Sequence, residues 1–582
     1  MKMENTSVGD KMGLGQASED IAVSQGFPRH LRNRLKKITC WITATLLFLT
    51  YNVYLGFSLH HSWLLSSSWC HDVRLLVLLT VIVYGSIVYY VLLKQWLFQP
   101  LINVFIGCFR RMPYSGTGWI VLYLGIGIFL IVDTRDNRAR LISAGGLVVL
   151  VALGYVFSAH RTKVKWRQVL WGSTLQFGFG LLILRWDVGQ EIFSCLGDKV
   201  KTFLEFTDFG STFVFGYLIT GKMDDLPVQP APFAFKILCV ILFFSFCTSV
   251  LYYCGIMQRL VINIGWFLQK TVGTTSCESM NAAGNIFLGQ TEAPLLIQPY
   301  LPLLTKSEIH AVMTGGFASI AGSVMAAFIS FGVSPSHLLS ASVMSAPAAL
   351  AYSKLFYPET EESRTDAKNI SIEKGKEHNV LEAATNGVSS AIPLVANIAA
   401  NLIAFIAFLR FLDSSLTWFG SLIGWDFITF EWLLSKIFVP LAFIMGVPWI
   451  DCQEVSRLIG IKTTVNEFVA YAELGKLIEK QTLTPRSEAI ATYALCGFSN
   501  ISAIGIQLGA LGTLAPSRKN DIARVAVRAM IAGSAACFMT ACIAGTLLDE
   551  PINSTPNFSE WSFSILSSFN DVRADNSSNL LA

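Results

Sequence analysis

Residues 284–300, GNIFLGQTEAPLLIQPY, constrain this chain most, because they set Asn285, Gln290, Thr291 and Glu292 in an otherwise apolar stretch broken by glycine and proline. A carboxylate at membrane depth costs on the order of several kcal/mol and marks a functional site by default. The segment 460–471, GIKTTVNEFVAY, repeats the pattern with Asn466 and Glu467. Two such constellations in one hydrophobic chain point to a site for a polar solute.

The surrounding sequence supports a membrane setting. Of 582 residues, 53% are hydrophobic and only 14% charged, with a mean hydropathy of +0.53. Many apolar runs approach the roughly 20 residues that cross a bilayer. The expected class is an all-α polytopic membrane protein. A net charge of +4, spread over loops, gives no clustered basic footprint for nucleic acid. The 12 cysteines are scattered, mostly in apolar runs, without CxxC or metal-ligand spacing, and read as buried, reduced, small hydrophobes.

Basic residues order the topology through the positive-inside rule. A polar tail, residues 1–37, ends in Arg29, Arg32, Arg34, Lys36 and Lys37 before an apolar run at 38–59. That run is too long for a signal-peptide core, so it reads as a first span with a cytosolic N-terminus. Further spans are expected at 75–93, 119–132, 141–157 and from 169 to about 184. An amphipathic stretch at 97–109 ends in Arg110 and Arg111, and a basic loop occupies 160–167. Residues 187–206 suit an interfacial helix. The run 233–269 reads as a span plus an elbow at Gln258 and Arg259.

Beyond it, the segment 276–303 is interrupted at Gly284, Gly289 and Pro294 and suits a re-entrant hairpin, because non-helical backbone survives at membrane depth only against protein or water. Spans follow at 310–331, 393–411 and 430–447, with a polar loop at 358–382 and an amphipathic piece at 380–390. A second broken segment at 487–512 precedes a basic loop at 517–528 and a last span at 529–548 that exits outward. The tail carries three sequons, Asn553, Asn557 and Asn576, which accept glycans only on the outer side.

Paired interrupted segments are the pattern of transporters built from inverted repeats. Glycines that only let helices pack closely explain Gly284 and Gly505, yet leave Glu292 and Glu467 unexplained. A membrane enzyme would need a nucleophile, metal or phosphate site. There is no HExxH or GxSxG, and GYLITGKM at 216–223 puts Met223 where a P-loop needs a hydroxyl. A transporter and a channel both remain open on these residues.

At these positions the chain resembles the concentrative nucleoside transporter family. The family signature G-x-K-x-x-x-N-E-F-V-A-Y stands here as Gly460, Lys462, Asn466, Glu467, Phe468, Val469, Ala470 and Tyr471, and the segments GNIFLGQTEAPLL and CGFSNISAIGI match in order and spacing. The likeness extends over most of residues 95–550. It implies two re-entrant hairpins, a scaffold, a mobile transport domain and a homotrimer in the plasma membrane. Peripheral helices would occupy 38–94, a scaffold-rich region 95–270, the site-bearing core 271–548, and an extracellular tail 549–582.

The resemblance further implies sodium-coupled import of a nucleoside such as uridine, thymidine, adenosine or inosine, with no other cofactor and no catalytic residue. Gln290, Thr291 and Glu292 would read the nucleobase, and Glu467 and Asn500 the ribose, with Phe498 packing nearby. Sodium would be held by the Asn285 side chain, the Leu288 carbonyl, the Ser319 hydroxyl and the Ile320 carbonyl, all neutral oxygens. Family members carry a serine three residues after the ribose-binding asparagine; here that position is Ala503, and Ser502 precedes it. Gly289 and Ser323 resemble the broad-selectivity members that carry purines and pyrimidines. Proton coupling and restriction to one base class stand as the alternatives.

Overall fold

A computed structural model describes residues 29–62, 116–220, 232–365, 377–425 and 427–548, with six further positions between 76 and 85. The chain divides into two compact units, residues 1–105 and 106–582. In the first, α1 (Arg29–Ser62) contains the expected first span. The Asn52 side-chain amide donates to the Tyr84 hydroxyl at 2.8 Å, and the Tyr51 hydroxyl lies 2.5 Å from that of Thr80. The amphipathic stretch at 97–109, most of the span at 75–93 and all three sequons fall outside the described residues.

The second unit is helical, without a strand among its described residues. It opens with α2 (Gly116–Asp133), α3 (Arg140–Val156) and α4 (Trp166–Gly180), which a π-turn prolongs over Leu181–Arg185. Asp133 ties three of these pieces together, with Arg140 and Arg185 each 2.6 Å away. The segment expected at the interface is helical, as α5 (Asp187–Glu205) followed by α6 (Thr207–Phe215). One cysteine departs from the reduced set, for Cys195 in α5 is disulfide-bonded.

The elbow falls earlier than its charges suggest. Helix α7 (Leu238–Tyr253) ends at Cys254, and α8 (Ile256–Val272) starts after Gly255, whose φ of 75° lies in the left-handed region that a side chain disfavours. Glycine sets the bend, and Gln258 and Arg259 already lie inside the next helix.

The centre is built from a motif used twice. Helix α9 (Ser276–Gly284) and a 3₁₀ segment (Ala293–Leu303) form the arms of the first hairpin, packed against each other. It is followed by α10 (Lys306–Ala318) and α11 (Gly322–Ser330), then by α12 (Pro335–Phe356). The span expected at 310–331 is therefore broken at Ser319–Ala321. In the second half the hairpin is α15 (Cys452–Thr464) with α16 (Glu467–Glu479), after α13 (Val380–Ser421) and α14 (Phe430–Ile444). Helices α17 (Pro485–Leu495) and α18 (Ile501–Leu514) follow, then α19 (Lys519–Leu547).

This corrects the pairing expected from sequence. The broken stretch at 487–512 is the counterpart of α10 and α11, whereas the second hairpin is the motif segment at 452–479. Its turn needs only Val465 and Asn466, too short a break to register against an apolar background. The hairpin arms pack on each other; α17 and α18 do not. Two other boundaries move. The amphipathic piece at 380–390 and the span at 393–411 form one helix of 42 residues, and the basic stretch 519–528 is the first part of α19.

Burial separates two kinds of apolar helix. The apolar window of 306–330 is entirely enclosed by protein, and that of 516–547 nearly so, while α13 buries only 6% of its window. Four described helices, α13 among them, are long and apolar enough to cross a membrane. Ile403, Phe411 and Trp418 of α13 are exposed, as suits a surface turned to lipid. The enclosed run 306–330 carries the break at Ser319–Ala321, so the backbone groups unpaired there sit among protein.

Candidate binding site at the two hairpin tips

The second half supplies the better-connected residues. Asn466 caps the N-terminus of α16, its side chain accepting from the Val469 amide at 3.0 Å. Asn500 caps α18 in the same way, accepting from the Ala503 amide at 2.8 Å. The Asn500 amide donates to Glu467 Oε2 at 2.6 Å, and the Ser502 hydroxyl donates to Asn500 Oδ1 at 2.6 Å. Glu467 and Asn500 are 4% and 2% exposed. The carboxylate thus lies at the positive ends of two helices, where an anion is favoured.

Two interactions lock this hairpin to the broken helix. The buried Lys462 ammonium donates to the carbonyls of Ala494 and Cys496, each at 2.9 Å, and so satisfies groups that the end of α17 leaves unpaired. The Tyr471 hydroxyl donates to the Thr492 carbonyl at 2.8 Å, with its ring stacked on Phe328 at 4.1 Å. After α17, Gly497 takes a φ of 92°, and a Cβ there would meet the Phe317 carbonyl oxygen at 2.4 Å. Only glycine fits that turn.

In the first half the polar groups are less satisfied. Asn285 ends α9 and is 2% exposed, yet neither polar atom of its side chain has a hydrogen-bond partner among the described residues. A Cβ on Gly315 would lie 2.7 Å from the Asn285 Nδ2, and the Ser319 hydroxyl donates to the Gly315 carbonyl at 2.9 Å, so Asn285 and Ser319 share one neighbourhood. The Gly322 amide donates to the Phe287 carbonyl at 3.1 Å and joins the helix break to the hairpin tip. Leu288 and Ile320 are also buried, and among the described residues neither carbonyl accepts a hydrogen bond. An orphaned amide beside helix C-termini and free carbonyls suits a small cation.

Both tips open on one cavity of about 110 Å³. Gly289, Gln290, Thr291 and Glu292 reach it from the first tip, and Ser323 from α11. Glu467, Phe498, Asn500, Ser502 and Ala503 reach it from the second half. Every residue expected to contact the solute or tune its choice therefore gathers here, from segments more than 200 residues apart in sequence. The four expected sodium residues lie outside its wall. A neighbouring cavity of about 330 Å³ shares Glu292, Ser323 and Leu394 with it and adds Leu288.

Some wall residues were not anticipated. Helix α13 contributes Leu394, Ile398, Asn401 and Leu402, and hairpin two adds Phe468 beside the Asn466 already marked in the sequence. Asn401, a polar residue in an apolar run, was the available signal. Gln507, buried behind Gln290, gave a similar one.

Comparison with known proteins places this architecture. Residues 337–545 match the C-terminal model of the Na⁺ dependent nucleoside transporters, 145–218 match the N-terminal model, and 234–335 match a "Gate: Nucleoside recognition" model. The chain is 54% identical over 449 residues to solute carrier family 28 member 3 of Rattus norvegicus, covering 75% of this chain and 62% of that protein. It therefore spans somewhat under two thirds of that relative's length. With sodium/nucleoside cotransporter 2 of Rattus norvegicus the identity is 45% over 463 residues, 77% of this chain and 68% of the relative. The structure of CNTnw in an inward-facing substrate-bound state superposes with a TM-score of 0.67 at 38% identity, covering 70% of this chain and 98% of that one. A doubly substituted CNTnw in an outward-facing state gives 0.68 at 37% identity, with coverage of 70% and 99%. Sequence, fold and the convergence of both hairpin tips agree, and the chain belongs to the Na⁺ dependent, or concentrative, nucleoside transporter family.

Proposed function

We propose that this protein is a sodium-coupled symporter that imports purine and pyrimidine nucleosides across the plasma membrane by alternating access. The observation that carries the reading is the shared cavity, where a half-buried carboxylate from the first half and a buried one from the second meet amide and hydroxyl groups within a membrane-embedded fold. Relatives named as sodium/nucleoside cotransporters, and CNTnw structures in inward- and outward-facing states, support it.

Gln290, Thr291 and Glu292 read the base, Glu467, Asn500 and Ser502 hold the ribose, and Phe498 packs against the bound solute. Ser502 takes over the hydroxyl function that Ala503 lacks, since its oxygen already lies 2.6 Å from Asn500 Oδ1. Sodium binds through the Asn285 side chain, the Ser319 hydroxyl and the carbonyls of Leu288 and Ile320. The ion would supply the partner that the Asn285 amide lacks, fixing the first tip in the shape that presents Gln290 to Glu292. Ion and nucleoside then favour each other by one reciprocal coupling free energy. The protein works as a homotrimer with its N-terminus cytosolic, its C-terminus outside, and glycans at Asn553, Asn557 and Asn576.

The deciding experiment measures uptake of radiolabelled uridine, thymidine and inosine by cells expressing the full chain, in sodium, in choline and at acid pH. Concentrative uptake that requires sodium supports the symporter. Equal uptake in choline overturns sodium coupling, and equilibration without accumulation favours a channel. Particle mass in detergent tests the trimer, and surface labelling with glycosidase treatment tests location and tail orientation.

A further inference from the structure

The base-reading amide of Gln290 does not choose its own orientation. Gln507 Nε2 donates to Gln290 Oε1 at 3.1 Å and to the Met313 carbonyl at 3.2 Å. A main-chain carbonyl can only accept, so the Gln507 atom beside it must be the NH₂ group. The Gln290 atom facing that group must then be its oxygen. Gln290 is left with its own NH₂ free, and this group has no partner among the described residues while its side chain lines the cavity. Turning Gln507 over would bring its oxygen against the Met313 carbonyl and strand its donors. Packing enforces the pair as well, since a Cβ on Gly316 would meet Gln507 Nε2 at 2.6 Å and Gln290 Cβ at 2.9 Å. Gln507 is 1% exposed, so water does not compete for these bonds.

From this we infer that Gln507 is a positioning residue that holds Gln290 as a hydrogen-bond donor and thereby selects bases bearing a carbonyl, rather than an amine, on the edge that Gln290 reads. The inference rests on the proposed role of Gln290 in base reading. Uracil and hypoxanthine share such an edge: a ring N–H, which a carboxylate such as Glu292 can accept, next to a carbonyl oxygen for the Gln290 donor. Cytosine and adenine present the reverse order, an unprotonated ring nitrogen beside an amine, and in the same pose both contacts are mismatched. Ring size does not enter, so the choice cuts across the purine and pyrimidine classes. A site whose buried polar groups go unpaired discriminates strongly.

The test compares pairs matched in size, uridine with cytidine and inosine with adenosine, as inhibitors of sodium-driven radiolabelled uridine uptake in cells expressing the full chain. Sodium-driven uridine uptake by the wild type establishes the underlying reading separately. The wild type should show uridine and inosine inhibiting at about a hundredfold lower concentration than cytidine and adenosine, a difference of two contacts at about tenfold each. Gln507→Met removes both donated bonds at similar length, frees the Gln290 amide to turn over, and should shrink each ratio about tenfold with the half-saturating sodium concentration unchanged. Gln290→Glu, which still accepts from Gln507 but presents only an acceptor to the base, repairs the amine contact and breaks the carbonyl one while Glu292 still favours a ring N–H, and should bring the uridine to cytidine ratio near one. Equal inhibition within each pair by the wild type overturns the inference. So does a wild-type ratio retained in Gln507→Met or in Gln290→Glu.

Discussion

The two halves of the core use one motif but leave different helix ends open. In the first, α9 and α10 end at Asn285 and Ser319, so helix C-termini and their carbonyls converge. In the second, α16 and α18 begin at Asn466 and Asn500, so helix N-termini converge. The partial charges differ in sign, and so do the residues placed on them: neutral oxygens with an orphaned amide in one case, a carboxylate that already accepts a hydrogen bond in the other. Helix C-termini meet in the second half too, at Thr464 and Leu495, but there the Lys462 ammonium covers the Ala494 and Cys496 carbonyls. The proposed division, cation in the first half and polyol in the second, therefore rests on which helix ends are left open.

If that division is right, the largest effect belongs to the second half. Glu467→Gln keeps shape but loses the charge that the Asn500 amide addresses and, in the proposed pose, the ribose hydroxyls too, and hydrogen bonds to charged groups are worth roughly 1.5–3 kcal/mol. Uptake should fall by at least about tenfold at normal surface abundance, while the sodium dependence of the residual uptake stays put. Wild-type uptake would remove Glu467 from the site, and a shifted sodium dependence would break the division between halves.

Lys462→Met comes next and tests structure. Without the ammonium, the Ala494 and Cys496 carbonyls lose a buried partner, at a cost of roughly 1–3 kcal/mol each. Thermal stability in detergent should drop and surface abundance with it. An unchanged melting temperature would mean that the hairpin is held by packing such as the Phe328 and Tyr471 stack alone.

A smaller effect is expected in the first half. Asn285→Ala and Ser319→Ala should each raise the sodium concentration for half-maximal uptake several-fold, with maximal uptake at saturating sodium changed less. Charge-neutral ligands contribute less individually than a carboxylate does. Sodium dependence that stays the same in both variants would take the ion away from this tip.

How much of this could be read from the chain depends on whether a residue is costly where it stands. Glu292 and Glu467 are expensive in an apolar background, so they marked the cavity from sequence alone, and Gly284 and Pro294 exposed the first hairpin. The second hairpin turns within Val465 and Asn466, and the break at Ser319–Ala321 uses only small or apolar residues, so neither disturbs the hydropathy. Ser319 and Ile320 were placed by family likeness; the helix break that leaves the Ile320 carbonyl unpaired became visible only in the fold. Gln507 and Asn401 were legible as polar residues in apolar runs, but nothing in sequence joins Gln507 to Gln290, 217 positions away.

The smallest expected effect concerns Gly289, between the proposed sodium residues and the residues proposed to read the base. Its φ is not in the left-handed region, so the backbone does not demand glycine there, and a serine is conformationally tolerated. A Cβ would stand 3.3 Å from the Ala321 Cβ and 3.9 Å from the Glu292 carboxyl carbon, tight on one side and ordinary on the other. Gly289→Ser should therefore fold and reach the surface, while its hydroxymethyl group takes space from a cavity of only about 110 Å³. The larger ring loses more, so inosine uptake should fall a few-fold further than uridine uptake, with sodium dependence little altered. Proportional loss of both nucleosides would show that the substitution disturbs the hairpin as a whole. An altered sodium dependence would place Gly289 with the ion tip, moving the boundary between the two halves toward Gln290.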